Sequence, residues 1–143
     1  MDPRPTFLVH ASVAVVDQDS VLMVQEQKKS NYQKWNLPGG HVDQNEPLPH
    51  AAARELREET KLALTMKGLV GIYQTPTSFR FVFRADFSGS EPLPGDEILA
   101  VSFMKISKVM EMSDEQLVSP ETLRPILRDL QNNVLHPLEI ISR

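Results

Sequence analysis

The sequence predicts an α+β fold, built as one domain over residues 1–143. Three observations predict it. Strand-like and helix-like stretches mix without the regular alternation of a doubly wound sheet. Residues 77–87, TSFRFVFRADF, alternate with a period of two. Around residues 47–60, Leu48, Ala52 and Leu56, with Ala51 beside them, recur at helical spacing. A chain of 143 residues that is 41% hydrophobic can bury one core of its own.

The elements follow in order. FLVHASVAVV (7–16) is expected to be the first strand. It is too short to span a bilayer, contains His10, and lacks the flanks of a secretory signal. Asp17, Gln18, Asp19 and Ser20 are turn formers, and a second strand paired to the first is expected at about 21–27. KKSNYQK (28–34) reads as an exposed loop, and Pro38-Gly39-Gly40 as a turn. Pro47 and Pro49 are tolerable in the first turn of the helix, where no intrahelical N–H bond is lost.

Two strands are expected after the helix, at 64–75 and 77–87. In the second, Phe79, Phe81, Phe83, Ala85 and Phe87 share one face, expected to be core. Arg80, Val82, Arg84 and Asp86 take the other, expected to be solvated. A Pro/Gly loop at 88–97 leads to a strand at 98–104 and a short segment at 107–112. Ser119 is expected to cap a helix running to about 132. His136-Pro137 ends it, and a last strand is expected at 138–141.

The charge is −4 with no Lys/Arg block, which argues against a nucleic-acid polymer as partner. No segment is long and apolar enough to imply a membrane partner. The absence of cysteine excludes disulfides, thiolate metal sites and cysteine nucleophiles. A cytoplasmic protein, monomeric or homodimeric, is expected.

The helix carries a local conflict. Glu55, Glu58 and Glu59 stand at i, i+3 and i+4, so three carboxylates share one face. Each like-charge pair costs ~0.2–0.5 kcal/mol. Each acid near the negative end of the helix dipole costs about 0.3–1 kcal/mol. Arg54 and Arg57 offset part of this, since Arg54 can reach Glu58 one turn on. A conflict of this kind is expected at a functional site. A hard divalent cation resolves it, because Mg²⁺ takes oxygen ligands, keeps waters and bridges to phosphates. A solvated acidic face with Arg–Glu pairs is the plainer alternative.

The segment has a wider pattern. Gly40, five residues, Glu46, seven residues, Arg54, Glu55, Leu56, Arg57, Glu58, Glu59, Thr60, Lys61, Leu62 resembles the Nudix box, G-x5-E-x7-R-E-U-x-E-E-x-G-U, with U a bulky aliphatic. Six specified residues match at fixed spacing, a chance of order 10⁻⁷ per starting position at average residue usage. Lys61 replaces the box glycine, at a helix end where a left-handed residue is favoured. Asn45 tolerates positive φ where many relatives carry glycine.

The resemblance implies an α/β/α sandwich with a mixed central sheet and a Mg²⁺-dependent hydrolase, with Mn²⁺ able to substitute. Its substrate would be a small nucleotide or pyrophosphate. It implies Glu58 and Glu59 as principal metal ligands, and Glu55 as a further ligand or the group that activates water. It adds the Gly39 carbonyl as a ligand, and Arg54 with Glu46 as the pair that orients the glutamates. Glu97 opens EILAVSF, similar to a family strand entry where some members keep a ligand or base. Beyond the box, the chain most resembles small bacterial phosphatases of nucleoside tri- and diphosphates and of a thiamine-precursor pyrophosphate. An ADP-ribose or dinucleotide pyrophosphatase is the runner-up, and a non-catalytic nucleotide sensor the third reading. For substrate contact the sequence offers Arg80 and, for stacking a base, Trp35 ahead of Tyr32 and Tyr73. His10 and His41 are expected to be structural or incidental.

Overall fold

The computed structural model describes residues 3–141. Its elements run β1 (Leu8–Asp17), β2 (Ser20–Glu26), β3 (Trp35–Asn36), β4 (Gly39–His41), α1 (Leu48–Thr60), β5 (Gly68–Gln74), β6 (Ser78–Asp86), β7 (Ile98–Lys105), α2 (Ile106–Glu111) and α3 (Pro120–Gln131). The strands form one mixed sheet. Its path is β3-β2-β1-β6-β5, with β4 pairing to β1 and β7 to β2. β1 and β6 run parallel, from Leu8↔Ser78 to Val16↔Asp86, while β2–β7 and β5–β6 are antiparallel.

The sheet is covered on both faces. Val13, Val15 and Phe83 pack with Ala51, Ala52 and Leu56 of α1. Ala14, Val16, Met23 and Val82 pack on the other side with Leu123, Ile126 and Leu127 of α3 and Val109 of α2. β1 therefore buries successive residues on opposite faces, as a central strand in a three-layer structure must. Among the described residues, no helix is long and apolar enough to cross a membrane.

Several expectations need correction. Arg80 is not on a solvated face: only 9% of its surface is exposed. β6 lies between β1 and β5, and both of its faces are covered. Two-residue alternation cannot distinguish a solvated polar face from a buried one lined by a satisfied cation. Arg80 Nε donates to Ser12 Oγ at 2.9 Å, and Nη2 donates to Asn36 Oδ1 at 2.8 Å. Residues 138–140 form a 3-10 turn rather than a strand. Ser119 precedes α3, but in the left-handed region (φ 45°, ψ 62°) and without a side-chain cap bond. The strand expected from residue 64 begins at Gly68.

Candidate active site

The site begins with the placement of α1. Ala51, Ala52, Leu56 and Thr60 form its buried stripe. That stripe fixes the rotation of the helix and turns Glu55, Glu58 and Glu59 toward one edge of the sheet. The helix ends at Lys61, which is left-handed (φ 63°, ψ 8°), its N–H bonded to Arg57 O. A non-glycine residue there costs about 1 kcal/mol.

The loop before the helix is tied at both ends. Asn45 takes φ 64°. Glu46 N donates to Asp43 O at 3.1 Å, and Asp43 N donates to Glu46 Oε1 at 3.0 Å. The Glu46 side chain is 8% exposed and receives Arg54 through two bonds, Nε to Oε2 at 2.7 Å and Nη2 to Oε1 at 3.0 Å. A forked guanidinium–carboxylate pair is directional as well as strong. It aims the remaining Arg54 donors: Nη1 bonds Glu55 Oε1 at 3.0 Å and Glu58 Oε1 at 3.2 Å, and Nη2 bonds His41 O at 3.1 Å. One arginine thus links the loop, β4 and two helix carboxylates.

β4 faces the helix. Gly39 N donates to Glu59 Oε1 at 2.9 Å. A Cβ on Gly40 would lie 2.6 Å from the Glu55 carboxyl, so glycine allows this approach of strand and helix. From the other side the 88–97 loop folds over the end of α1. Leu93 N donates to Thr60 O at 2.9 Å and Gly95 N to Glu59 O at 3.0 Å. These bonds satisfy carbonyls that a helix end leaves open. They also place Asp96 and Glu97 opposite the helix acids.

The result is a cleft of 480 Å³ with Gly39, Gly40, Glu55, Glu58, Glu59 and Glu97 in its wall. Lys28, His41, Asp43, Lys61, Asp96 and Ile98 complete it. Its electrostatics are uneven. Hydrogen bonds from Arg54 hold the Glu46 carboxyl down at about 2. Burial pushes Glu59 up to about 8, against the Gly39 N–H bond that lowers it. Burial also raises Glu55 and Glu26. Burial thus disfavours the charged form of two carboxyls in one cleft, a penalty that a bound cation would offset.

As the side chains stand, no three acidic or histidine side chains among the described residues form a ready-made metal cage. Glu55 and Glu58 lean on Arg54, and Glu59 on Gly39. The donor set is all oxygen, half-open and deficient in positive charge. That set fits Mg²⁺ or Mn²⁺, which bind through a few carboxylates and complete their shells with water and phosphate.

Seven of the residues expected at the site are brought together: Gly39, Glu46, Arg54, Glu55, Glu58 and Glu59, with Glu97 across the cleft. Trp35 and Arg80 are not among the lining residues. Trp35 packs against the core on the α3 side, and its carbonyl accepts Val118 N–H at 2.9 Å. Tyr73 also packs there, donating to Asp129 Oδ2 at 2.7 Å. His41, expected to be structural or incidental, lines the cleft and packs against His10 with the rings tilted by 41° and their centroids 4.5 Å apart. Lys28, Asp43 and Asp96 were not singled out from sequence. Each sits in a polar loop whose composition carries no local signal.

Residues 6–129 match the NUDIX domain. Phosphatase NudJ of Escherichia coli strain K12 is 32% identical over 144 residues, covering 95% of this chain and 92% of that protein. The ADP-ribose pyrophosphatase of Methanocaldococcus jannaschii is 27% identical over 127 residues, covering 81% and 75% respectively. A NUDIX hydrolase from Nitrosomonas europaea superposes with a TM-score of 0.84 at 22% identity, covering 98% of this chain and 97% of that one.

Proposed function

The chain belongs to the Nudix family of hydrolases, and from that premise we propose that it is a Mg²⁺-dependent hydrolase of the diphosphate linkage in nucleoside di- and triphosphates or a similar small pyrophosphate. One observation carries the reading. Glu55, Glu58 and Glu59 face a single cleft, with Gly39 and Gly40 on one side and Glu97 on the other.

In this reading Glu58 and Glu59 hold the metal, joined by Glu55 or the Gly39 carbonyl. Arg54, fixed by Glu46, keeps Glu55 and Glu58 turned toward the cleft. The cation, when bound, neutralises diphosphate charge and eases deprotonation of the attacking water. The chain supplies the proton acceptor. Glu55 and Glu59 have the raised proton affinity that a general base near neutral pH needs. Glu97 faces them and is the remaining candidate. This reading gives Trp35 and Arg80 no substrate role: Trp35 is half-buried against the core on the α3 side, Arg80 is buried in the sheet, and neither lines the cleft.

The assay is a panel of nucleoside di- and triphosphates, ADP-ribose and small pyrophosphates with Mg²⁺. Release of orthophosphate or pyrophosphate from one of the first group, lost in Glu59→Gln without loss of fold, is the expected result. Binding without turnover across the panel would overturn it. The similarity to the Methanocaldococcus jannaschii protein supports a second reading, an ADP-ribose pyrophosphatase. AMP and ribose 5-phosphate as products would select it.

A further inference from the structure

Lys61 occupies a position where its backbone argues against it. It is left-handed, at the end of α1, in a conformation that glycine adopts without penalty. Yet it lines the active cleft. Lys28 is the other lysine there. Neither makes an ion pair or a side-chain hydrogen bond to another described residue, while Arg54 is fully engaged by Glu46, Glu55 and Glu58. The two ammonium groups are therefore the uncommitted cations of a cleft otherwise lined with carboxylates.

Their positions differ. Lys28 follows β2, whose last residue Glu26 pairs with Ile98, whereas Lys61 ends α1 where Leu93 and Gly95 of the 88–97 loop bond the last helix carbonyls. Both line the cleft, Lys28 from the segment after β2 and Lys61 from the C-terminal end of the helix that carries Glu55, Glu58 and Glu59. A phosphate chain seated on these carboxylates therefore has two ammonium groups, from two different elements, within the same cleft to meet.

We propose that Lys61 is a specificity-determining residue that binds a third phosphate, selecting nucleoside triphosphates over diphosphates at this cleft. The proposal rests on the reading of the cleft as a diphosphate hydrolase site. It explains why a side chain is kept where the backbone prefers none. Lysine suits this task because its ammonium is a mobile point charge on a long stem, able to follow a flexible phosphate chain.

Lys61→Gly separates structure from function unusually well. Glycine relieves the left-handed backbone, so a purely structural role predicts no loss. The probes are the adenosine di- and triphosphate analogues with a methylene bridge between the α- and β-phosphates, titrated calorimetrically in Mg²⁺ against wild type, Lys61→Gly and Lys61→Arg. The expected result is a loss of about threefold to tenfold in triphosphate affinity for Lys61→Gly, the scale of one partly exposed charge contact. The diphosphate should change less than about twofold, Lys61→Arg should keep the preference, and the Lys61→Gly melting temperature should match or exceed wild type. Unchanged triphosphate affinity would overturn the proposal. So would equal losses for both analogues, or no triphosphate preference in the wild type. Failure of wild-type turnover on every nucleotide would instead sink the hydrolase reading, while the affinities still report on Lys61.

Discussion

Arg54 binds Glu46 through two hydrogen bonds of 2.7 and 3.0 Å, and spends its remaining donors on Glu55, Glu58 and the His41 carbonyl. The pair is structural and electrostatic at once. It holds the loop to the helix, and it aims two carboxylates at the cleft. Glu46→Gln should lower stability at neutral pH by about 2 kcal/mol, the scale of a hydrogen bond to a charged group. The acid side gives the sign. The Glu46 carboxyl is depressed from 4.5 to about 2. Its contribution is therefore present above pH 4.5 and lost as pH falls toward 2. Urea unfolding at pH 7 and pH 3 should show the wild-type advantage over Glu46→Gln shrinking at the lower pH. A constant gap would mean that the pair does not titrate as the geometry requires.

How much of this was legible in sequence depends on the range of the signal. Glu46, Arg54 and the three helix acids lie within fourteen positions, and helical periodicity converts that spacing directly into a shared face. The left-handed Lys61 and Asn45 were also readable, from helix-end and turn chemistry. Arg80 was not. Its burial follows from β6 lying beside β1, a partner 68 residues away in the Ser12 contact, which no local pattern encodes. Lys28 and Asp96 reach the cleft by the same long-range closure. The apolar 138–141 segment suited a strand by composition, but the chain bridges the β5 edge only at His136, opposite Leu69, and after Pro137, which has no N–H to continue the ladder, residues 138–140 wind into a 3-10 turn.

Glu59 makes metal removal visible in stability. Its carboxyl is raised from 4.5 to about 8 by burial. A raised acid contributes stability that is complete below pH 4.5 and lost as pH climbs to 8. In EDTA, the melting temperature of the wild type should fall relative to Glu59→Gln between pH 5 and pH 8.5. Mg²⁺ at about ten times its dissociation constant adds ~1.4 kcal/mol, or several degrees, to the wild type at pH 8. It should add little to the variant. Differential scanning fluorimetry tests both: parallel pH curves in EDTA would mean that the carboxyl does not titrate as its burial requires, and an equal Mg²⁺ gain in the two proteins would remove Glu59 from the cation site.

Gly40 tests whether Glu55 acts where it stands. An added Cβ would lie 2.6 Å from the Glu55 carboxyl, the movable end of a flexible side chain. Gly40→Ala should therefore fold with a melting temperature within a few degrees of wild type but rotate Glu55 out of place. A loss of at least about tenfold in kcat is expected, the low end for a displaced acid–base or ligand group. Full activity in a folded Gly40→Ala would show that Glu55 is a bystander.

Gly95 poses the opposite case. Its Cβ would collide with the backbone oxygen of Glu58, and its N–H bonds Glu59 O at 3.0 Å. Neither neighbour can yield, because both belong to the last turn of α1. The strain must move the loop instead, and with it Asp96 and Glu97. Gly95→Ala should then lose about 1–3 kcal/mol of stability, the usual range for overpacking. It should also weaken Mg²⁺ affinity if the far wall of the cleft contributes to the cation site. Gly89 in the same loop is the control, since a Cβ there meets nothing within 4 Å, although its φ of 97° leaves a modest backbone cost. Calorimetric Mg²⁺ titration of Gly95→Ala against Gly89→Ala separates the effects. Equal affinities in two folded variants would place the cation on the helix side alone and remove Glu97 from the candidate ligands.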